Sequence, residues 1–579
     1  MPPTMLQIIT STFFVVVLLI ASVSRATEAF VGPSPALFRF SPANIYVSQH
    51  KKSSTFGGIT LRHRYHLIST SPKSLVVSVS HVDGGGEVKN IAEAQGDGSP
   101  FLSDIIGASV AVGSVTAVVG FLYGKILGKC VQTLWTSIPA ALAVLLGEGV
   151  WNSSVFIAAT VTLGGILVGT IASRCGDSAF TVADFVEIFS STPGPWTRNL
   201  PRTREVIGPV LLLSLVTSMF GFSVGPEGPM VCAGALIGSS AGRRLYGSRD
   251  AASAARANEI LAFAGAAGTL TAFMSIPVAG SIFALELARS GAAMSPAASD
   301  ALVPTIVASM AAIVLIRGVL NPGGAIGGHF AYFVAEGGAL GGRTAIGTAL
   351  GCGVGGALLG TIFQKAVAII KGRLWAKLPK LQNTDGFISA WKKIVPKKAI
   401  IGLLVGILSA NFPQTLFWGE GSLQCVVDGQ RTAFSATKHG LSTFLTAGAR
   451  IDPSMPFATA TSAMQVGAAK LLAIALACAG KFPGGIIFPL FFAAAPFAHA
   501  ATMAGWVPVI ASPAAVMALM ASTQASVTKT PLSTGLILAL TASVHTPLSV
   551  LLPVCLISSY VGVFLSGILS KKSYFTYSE

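Results

Sequence analysis

The chain has 579 residues, 52% of them apolar and only 10% charged, against a charged share of about 25% in ordinary soluble domains. With a mean hydropathy of +0.71, this composition excludes a water-soluble enzyme and points to an all-α polytopic membrane protein. The net charge of +16 does not imply a nucleic-acid partner, because the excess is localised. Residues 1–82 hold seven Lys/Arg against one acid. A second cluster, read as one loop, carries Lys371, Arg373, Lys377, Lys380, Lys392, Lys393, Lys397 and Lys398, with Asp385 as its only acid. Such a loop fits the positive-inside rule and contact with anionic lipid.

The N-terminus reads as an address. Residues 8–22 form an apolar run followed by Thr27-Glu28-Ala29, the pattern of a signal peptide over residues 1–29. From Phe30 to Val82 the chain is Ser-rich, basic and free of acids, the composition of a transit peptide. The junction Ala29-Phe30-Val31-Gly32-Pro33 resembles the bipartite presequences of algae whose plastids lie within the secretory system. The expected destination is a plastid membrane, thylakoid or inner envelope, the alternative being a secretory-pathway or vacuolar membrane. Residues 83–103 read as a linker.

From about residue 104 to 570 apolar runs succeed one another. Several, at 206–222, 229–241, 277–288 and 534–543, are shorter than the roughly 20 residues a spanning helix needs and are bounded by Gly or Pro. Short interrupted runs predict discontinuous helices, which in transporters frame a site at mid-bilayer. Two Gly/Pro breaks stand out, Gly225-Pro226-Glu227-Gly228-Pro229 and Pro483-Gly484-Gly485-Ile486-Ile487-Phe488-Pro489. Each precedes a long apolar helix and then a Pro-led helix, beginning at Pro277 and at Pro531. The chain therefore reads as two related halves, 104–290 and 291–570, with a tail at 571–579. Inverted repeats place their substrate where broken helices of both halves meet.

The chemistry follows from the breaks. A helix starting within the bilayer presents unsatisfied N–H groups and a positive dipole end. Glycine lets that backbone approach a ligand closely, and proline in the first turn sacrifices no needed donor. Such a site binds a halide or nitrate without the full charge that would hold it too long. Glu227 is the exception, since an acid at membrane depth costs about 2.5–3.5 kcal/mol. A carboxylate there competes with the anion, and protonation releases it from the site. That makes Glu227 a proton-sensitive gate, a helix-capping carboxylate being the alternative. Seven scattered cysteines form no CxxC pair or metal spacing, so no cofactor is expected.

At these residues the sequence resembles the CLC family of chloride channels and anion/proton exchangers. Gly225 to Pro229 is similar to the family's G-[KR]-E-G-P motif, with Pro226 in place of the basic residue. Gly485-Ile486-Ile487-Phe488-Pro489 resembles G-x-F-x-P, and Tyr574 resembles the pore tyrosine, with Tyr577 as a rival. The resemblance implies an inverted-repeat fold of broken and tilted helices, a homodimer with one anion pathway per subunit, and Glu227 as the gate. It implies an anion held by Gly225, Gly228, Gly485, Ile486, Ile487 and Phe488 through backbone, with the Tyr574 hydroxyl donating. Three departures qualify it. Ile487 stands where the aromatic is expected. The G-S-G-I-P motif is missing, and Ser178 in Gly176-Asp177-Ser178-Ala179-Phe180 is the candidate coordinating hydroxyl, a plain helix cap being the alternative; with no Pro there, chloride is favoured over nitrate. Leu287 holds the position of the internal proton-relay glutamate, leaving neighbouring Glu286 a structural reading.

The sequence therefore predicts transport of chloride or a similar small anion, with a channel preferred over an anion/proton exchanger because of Leu287. The chain ends five residues after Tyr574, so the paired nucleotide-binding modules of many relatives are not expected. An intramembrane enzyme would need a Ser/His or paired-Asp constellation within the helices, and none is visible. An organic-anion carrier would want a basic residue facing the site; Lys470 is the main basic residue of a long apolar segment, with snorkelling at a helix end as its other reading.

Overall fold

The computed structural model describes residues 100–146, 153–175, 181–190, 201, 203–274, 276–289, 300–322, 342–375, 386–419, 423, 459–542, 548–570 and 574. The expected signal peptide, transit segment and most of the linker lie outside the described residues, as do Ser178 and the tail apart from Tyr574. Residues 108–579 fall within one compact unit, and the architecture below is that of this unit.

The described residues are almost wholly helical. In chain order the first set is α1 (Pro100–Gln132), α2 (Ile138–Leu146), α3 (Ser153–Cys175), α4 (Val182–Ser190), α5 (Thr203–Met219), α6 (Glu227–Tyr246), α7 (Ala251–Met274), α8 (Pro277–Arg289) and α9 (Leu302–Leu315). The second set is α10 (Gly342–Trp375), α11 (Phe387–Asn411), α12 (Ala460–Ala479), α13 (Ile487–Met503), α14 (Ser512–Thr528), α15 (Pro531–Ala542) and α16 (Leu548–Leu569). Among the described residues eight helical segments are long and apolar enough to cross a bilayer, and shorter apolar helices at Glu205–Met219, Val278–Leu287, Ile487–Met503 and Pro531–Ala542 stand among them. The short runs at 206–222, 277–288 and 534–543 are thus short helices, as their Gly/Pro borders require. The run at 229–241 belongs to the longer α6. Proline opens α8 and α15, where its missing N–H is no loss. Asp250 starts α7: its carboxylate accepts from the Ser253 amide at 2.9 Å, and that bond holds its carboxyl below the usual carboxylate range.

The two sets repeat one packing scheme. α6 packs on α7 as α13 packs on α14, and α9 covers α7 and α8 as α16 covers α14 and α15. Contacts between the halves join equivalent elements, α3 with α11 and α8 with α15. The self-pairing reaches single residues. A Cβ on Gly165 of α3 would stand 3.2 Å from the Gly402 Cα, and one on Gly402 would stand 3.2 Å from the Gly165 Cα. Phe222 stacks on Phe482 at 4.0 Å, and Gly225 bridges Gly485 in antiparallel sense. Equivalent residues meeting antiparallel is the geometry of an inverted repeat.

Small residues bring these helices together. Gly234, Gly238 and Gly242 line one face of α6, and a Cβ at Gly234 or Gly238 would run into the Gly265 or Leu261 carbonyl of α7. In a bilayer, where apolar burial drives little association, such close backbone contact is what holds helices together.

The basic stretch from Lys371 to Lys398 is not one loop. Lys371 and Arg373 lie at the end of α10, and Lys392, Lys393, Lys397 and Lys398 lie in α11. Lys398 is buried rather than lipid-facing. Its Nζ donates to the Gly480 and Lys481 carbonyls at 3.1 and 2.7 Å and lies 4.7 Å from the Phe482 ring centre. The ammonium replaces the donors that the end of α12 lacks.

Candidate anion site

The site is built where the two breaks meet. Gly225 donates its N–H to the Gly485 carbonyl at 2.8 Å, and Gly485 donates to the Gly225 carbonyl at 2.5 Å. Two residues beyond each glycine a helix begins, α6 at Glu227 and α13 at Ile487. The helices close their first turns through Met230 N–H to the Pro226 carbonyl (3.0 Å) and Leu490 N–H to the Ile486 carbonyl (3.1 Å). The bridge thereby fixes two helix N-termini side by side, both buried. First-turn N–H groups have no partner within their own helix, and the two positive dipole ends add. Pro229 and Pro489 take equivalent first-turn places, leaving Glu227, Gly228, Ile487 and Phe488 as the residues that carry N–H groups there.

Glu227 is fully buried. Its carboxylate lies against both break glycines, for a Cβ placed on Gly225 or on Gly485 would collide with its oxygens. Among the described residues neither carboxylate oxygen has a hydrogen-bond partner. Gly228 also faces the second break, where a Cβ would stand 3.2 Å from Gly484 and Gly485 backbone atoms. The structure thus brings Gly225, Glu227, Gly228, Gly485, Ile486, Ile487 and Phe488 into one cleft. Ile486, Ile487 and Phe488 are all buried, and Phe488 turns edge-on to Phe491 at 5.7 Å. Tyr574 packs against the apolar cluster that holds Ile486 and Leu490. Its ring lies 5.8 Å from Phe363, and its hydroxyl hydrogen-bonds the Cys478 thiol.

Two side chains behind the cleft were less legible. Lys470 does not snorkel. It sits mid-way along α12, wholly buried, and donates to the Phe417 and Thr415 carbonyls at 2.6 and 2.9 Å and to the Ser223 hydroxyl at 3.4 Å. The Ser223 hydroxyl in turn donates to Thr415. The ammonium gathers the carbonyls of a turn in which Phe417 and Gly419 take φ of +56° and +89°, and ties that turn to the segment leading into Gly225. The second is Tyr123 of α1, whose hydroxyl lies 2.8 Å from the Ser214 hydroxyl and within electrostatic reach of the Glu227 carboxylate. A single tyrosine in an apolar helix carries no local signal of that role, whereas Lys470 is conspicuous as a charge in an apolar run.

Glu286 has a structural task. Its carboxylate accepts from the Leu532 and Ser533 amides at 3.1 and 2.8 Å and from the Ser533 hydroxyl at 2.5 Å, capping α15 from α8 across the repeat. Leu287 beside it is buried. Replacing Glu286 with Gln removes the charge from a helix N-terminus and should cost about 0.5–2 kcal/mol of stability. Thermal unfolding in detergent checks this, and an unchanged midpoint would show that the cap contributes nothing.

The sequence profile described as voltage gated chloride channel matches residues 164–563. The chain belongs to the voltage-gated chloride channel family. Among solved structures this family member resembles a slow cyanobacterial Cl−/H+ antiporter, with a TM-score of 0.60 at 16% identity, over 83% of this chain and 97% of that one. A CLC-type fluoride/proton antiporter gives 0.57 at 17% identity, over 83% and 98%. At these identities the likeness concerns the fold. A curated relative from Escherichia coli O17:K52:H18, YfeO, whose name assigns it to ion transport provisionally, is 24% identical over 392 residues, covering 66% of this chain and 75% of its own. The family places the chain among CLC-type anion transport proteins of the membrane.

Proposed function

We propose that the protein conducts chloride or a similar small anion, nitrate included, through the cleft between the N-termini of α6 and α13, with Glu227 as its gate. The observation that carries this reading is the Glu227 carboxylate, buried without a hydrogen-bond partner among the described residues and seated against Gly225 and Gly485. An acceptor-only group at the convergence of two helix N-termini stands where an anion would bind. Protonation removes its charge and lets the anion take its place. In this reading the amides of Ile486, Ile487 and Phe488 line the anion, the three glycines let backbone approach it, and the hydroxyls of Tyr574 and Ser178 complete the path. A homodimer with one pathway per subunit and a plastid membrane as destination belong to the same proposal.

A channel is preferred. The apolar, buried Leu287 offers no proton carrier, and the neighbouring Glu286 is engaged in capping α15. Exchange is the second reading, favoured by the antiporters of similar fold. Reconstituted vesicles separate the two. A chloride reversal potential that follows the chloride gradient and ignores the proton gradient is expected. Uphill chloride movement driven by a proton gradient would establish exchange instead, and absence of any anion flux would remove both.

A further inference from the structure

Glu227 needs somewhere to go when an anion takes its place, and a polar receptacle lies near the start of α6. α1 runs close to α6 here: a Cβ on Gly120 would stand 3.9 Å from the Met230 side chain, one turn past Glu227. The next turn of α1 carries Tyr123, buried, with its hydroxyl 2.8 Å from the buried Ser214 hydroxyl of α5. The Ser218 hydroxyl, one turn further along α5, is fully buried and reaches the same phenol. The phenol is also within electrostatic reach of the Glu227 carboxylate.

We infer that Tyr123, Ser214 and Ser218 form the seat that receives the protonated Glu227 carboxyl when it leaves the Gly225–Gly485 cleft. The inference rests on the gate reading above and adds to it the residues that hold the gate open. Both Glu227 oxygens are buried without a hydrogen-bond partner among the described residues, whereas the great majority of such atoms in proteins are paired. A rotation of the Glu227 side chain toward α1 would bring them to the hydroxyls gathered at Tyr123. The match is chemical as well as spatial. A protonated carboxyl both donates and accepts, and so do a phenol and a serine hydroxyl. The ionised carboxylate only accepts and is better placed among the N–H groups of the cleft. The seat therefore prefers the neutral gate, the cleft the charged one, and protonation moves the side chain between them.

The titratable groups on the elements around α6 include Asp104, Tyr123, Lys125, Lys129 and Cys130 on α1, Asp184 and Glu187 on α4, Glu205 on α5, Arg256 and Glu259 on α7, and Cys232, Arg243, Arg244 and Tyr246 on α6 itself. Asp184 acts on Cys232, and Cys130 acts on Tyr123. Glu205 and Glu187 are exposed. The Glu227 charge acts on Tyr123.

The test compares Tyr123→Phe, Ser218→Ala, Glu227→Gln and the double variant Tyr123→Phe/Glu227→Gln in vesicles, following chloride flux against pH. Tyr123→Phe keeps the ring and its packing and removes one hydrogen bond to the open gate, so half-maximal flux should require about three- to tenfold more protons. Ser218→Ala should shift the same way. In the Glu227→Gln background Tyr123→Phe should shift nothing, because no titrating gate remains; an effect on packing alone would persist there. A pH profile unmoved by Tyr123→Phe and Ser218→Ala, or an equal effect in both backgrounds, overturns the seat while leaving the gate. If Glu227→Gln retains the wild-type pH dependence, gate and seat fall together.

Discussion

Replacing Glu227 with Gln is expected to make anion flux independent of pH and to hold it near the maximum the wild-type protein reaches in acid. The amide has the carboxylate's shape but neither its charge nor its proton. In the wild-type protein the ionised side chain sits against Gly225 and Gly485, between two helix N-termini whose fields favour negative charge. In the proposed reading a permeating anion must displace it. The neutral amide gains nothing comparable from those fields and yields the place. A charge at one helix N-terminus is worth up to about 2 kcal/mol in a partly buried geometry, roughly a thirtyfold change in gate occupancy. Flux through reconstituted vesicles at two pH values, with chloride and then nitrate, measures it. A variant that keeps the wild-type pH response would dismiss Glu227 as the gate.

The second large effect is on the scaffold. Gly238→Val should destabilise the protein by at least about 1–3 kcal/mol, because α6 and α7 touch there backbone to backbone. Even one carbon at this position runs into the Leu261 carbonyl, a neighbour with no rotamer to change. Separating the helices would also displace Glu227, at the other end of α6, from the Gly485 bridge. Gly124→Val is the control, since a Cβ at Gly124 meets nothing within 4 Å and valine exceeds glycine in helix propensity by only a few tenths of a kcal/mol. Equal thermal stability of the two variants in detergent would show that the close α6–α7 contact is not what limits the fold.

Much of the site was legible because its residues are local punctuation. Gly225-Pro226 and Gly484-Gly485 break helices wherever they stand, and the acid following the first break is costly in any membrane segment. The Pro-led helices at Pro277 and Pro531 were legible for the same reason, and with them the repeat. The basic stretch was misread as one loop because charge density was taken for exposure. Lys371 and Arg373 lie at the end of α10, Lys392, Lys393, Lys397 and Lys398 lie in α11, and Lys398 is spent on the end of α12; Lys377 and Lys380 lie outside the described residues. Lys470 was noticed as a charge in an apolar run, but its partners are carbonyls of Thr415 and Phe417, which no side-chain pattern announces.

The sequence by itself determined that the chain is a helical membrane protein with two interrupted segments, one of them holding a carboxylate. Those properties follow from hydropathy and from the backbone limits of Gly and Pro, which act over a few neighbours. Only the tertiary structure decided that Gly225 pairs with Gly485, that Glu227 lies between two helix starts, and that Tyr123 and Ser214 meet beside it. Such contacts join residues far apart in the chain and depend on how closely glycine-lined helices approach, a distance set by packing across the whole repeat.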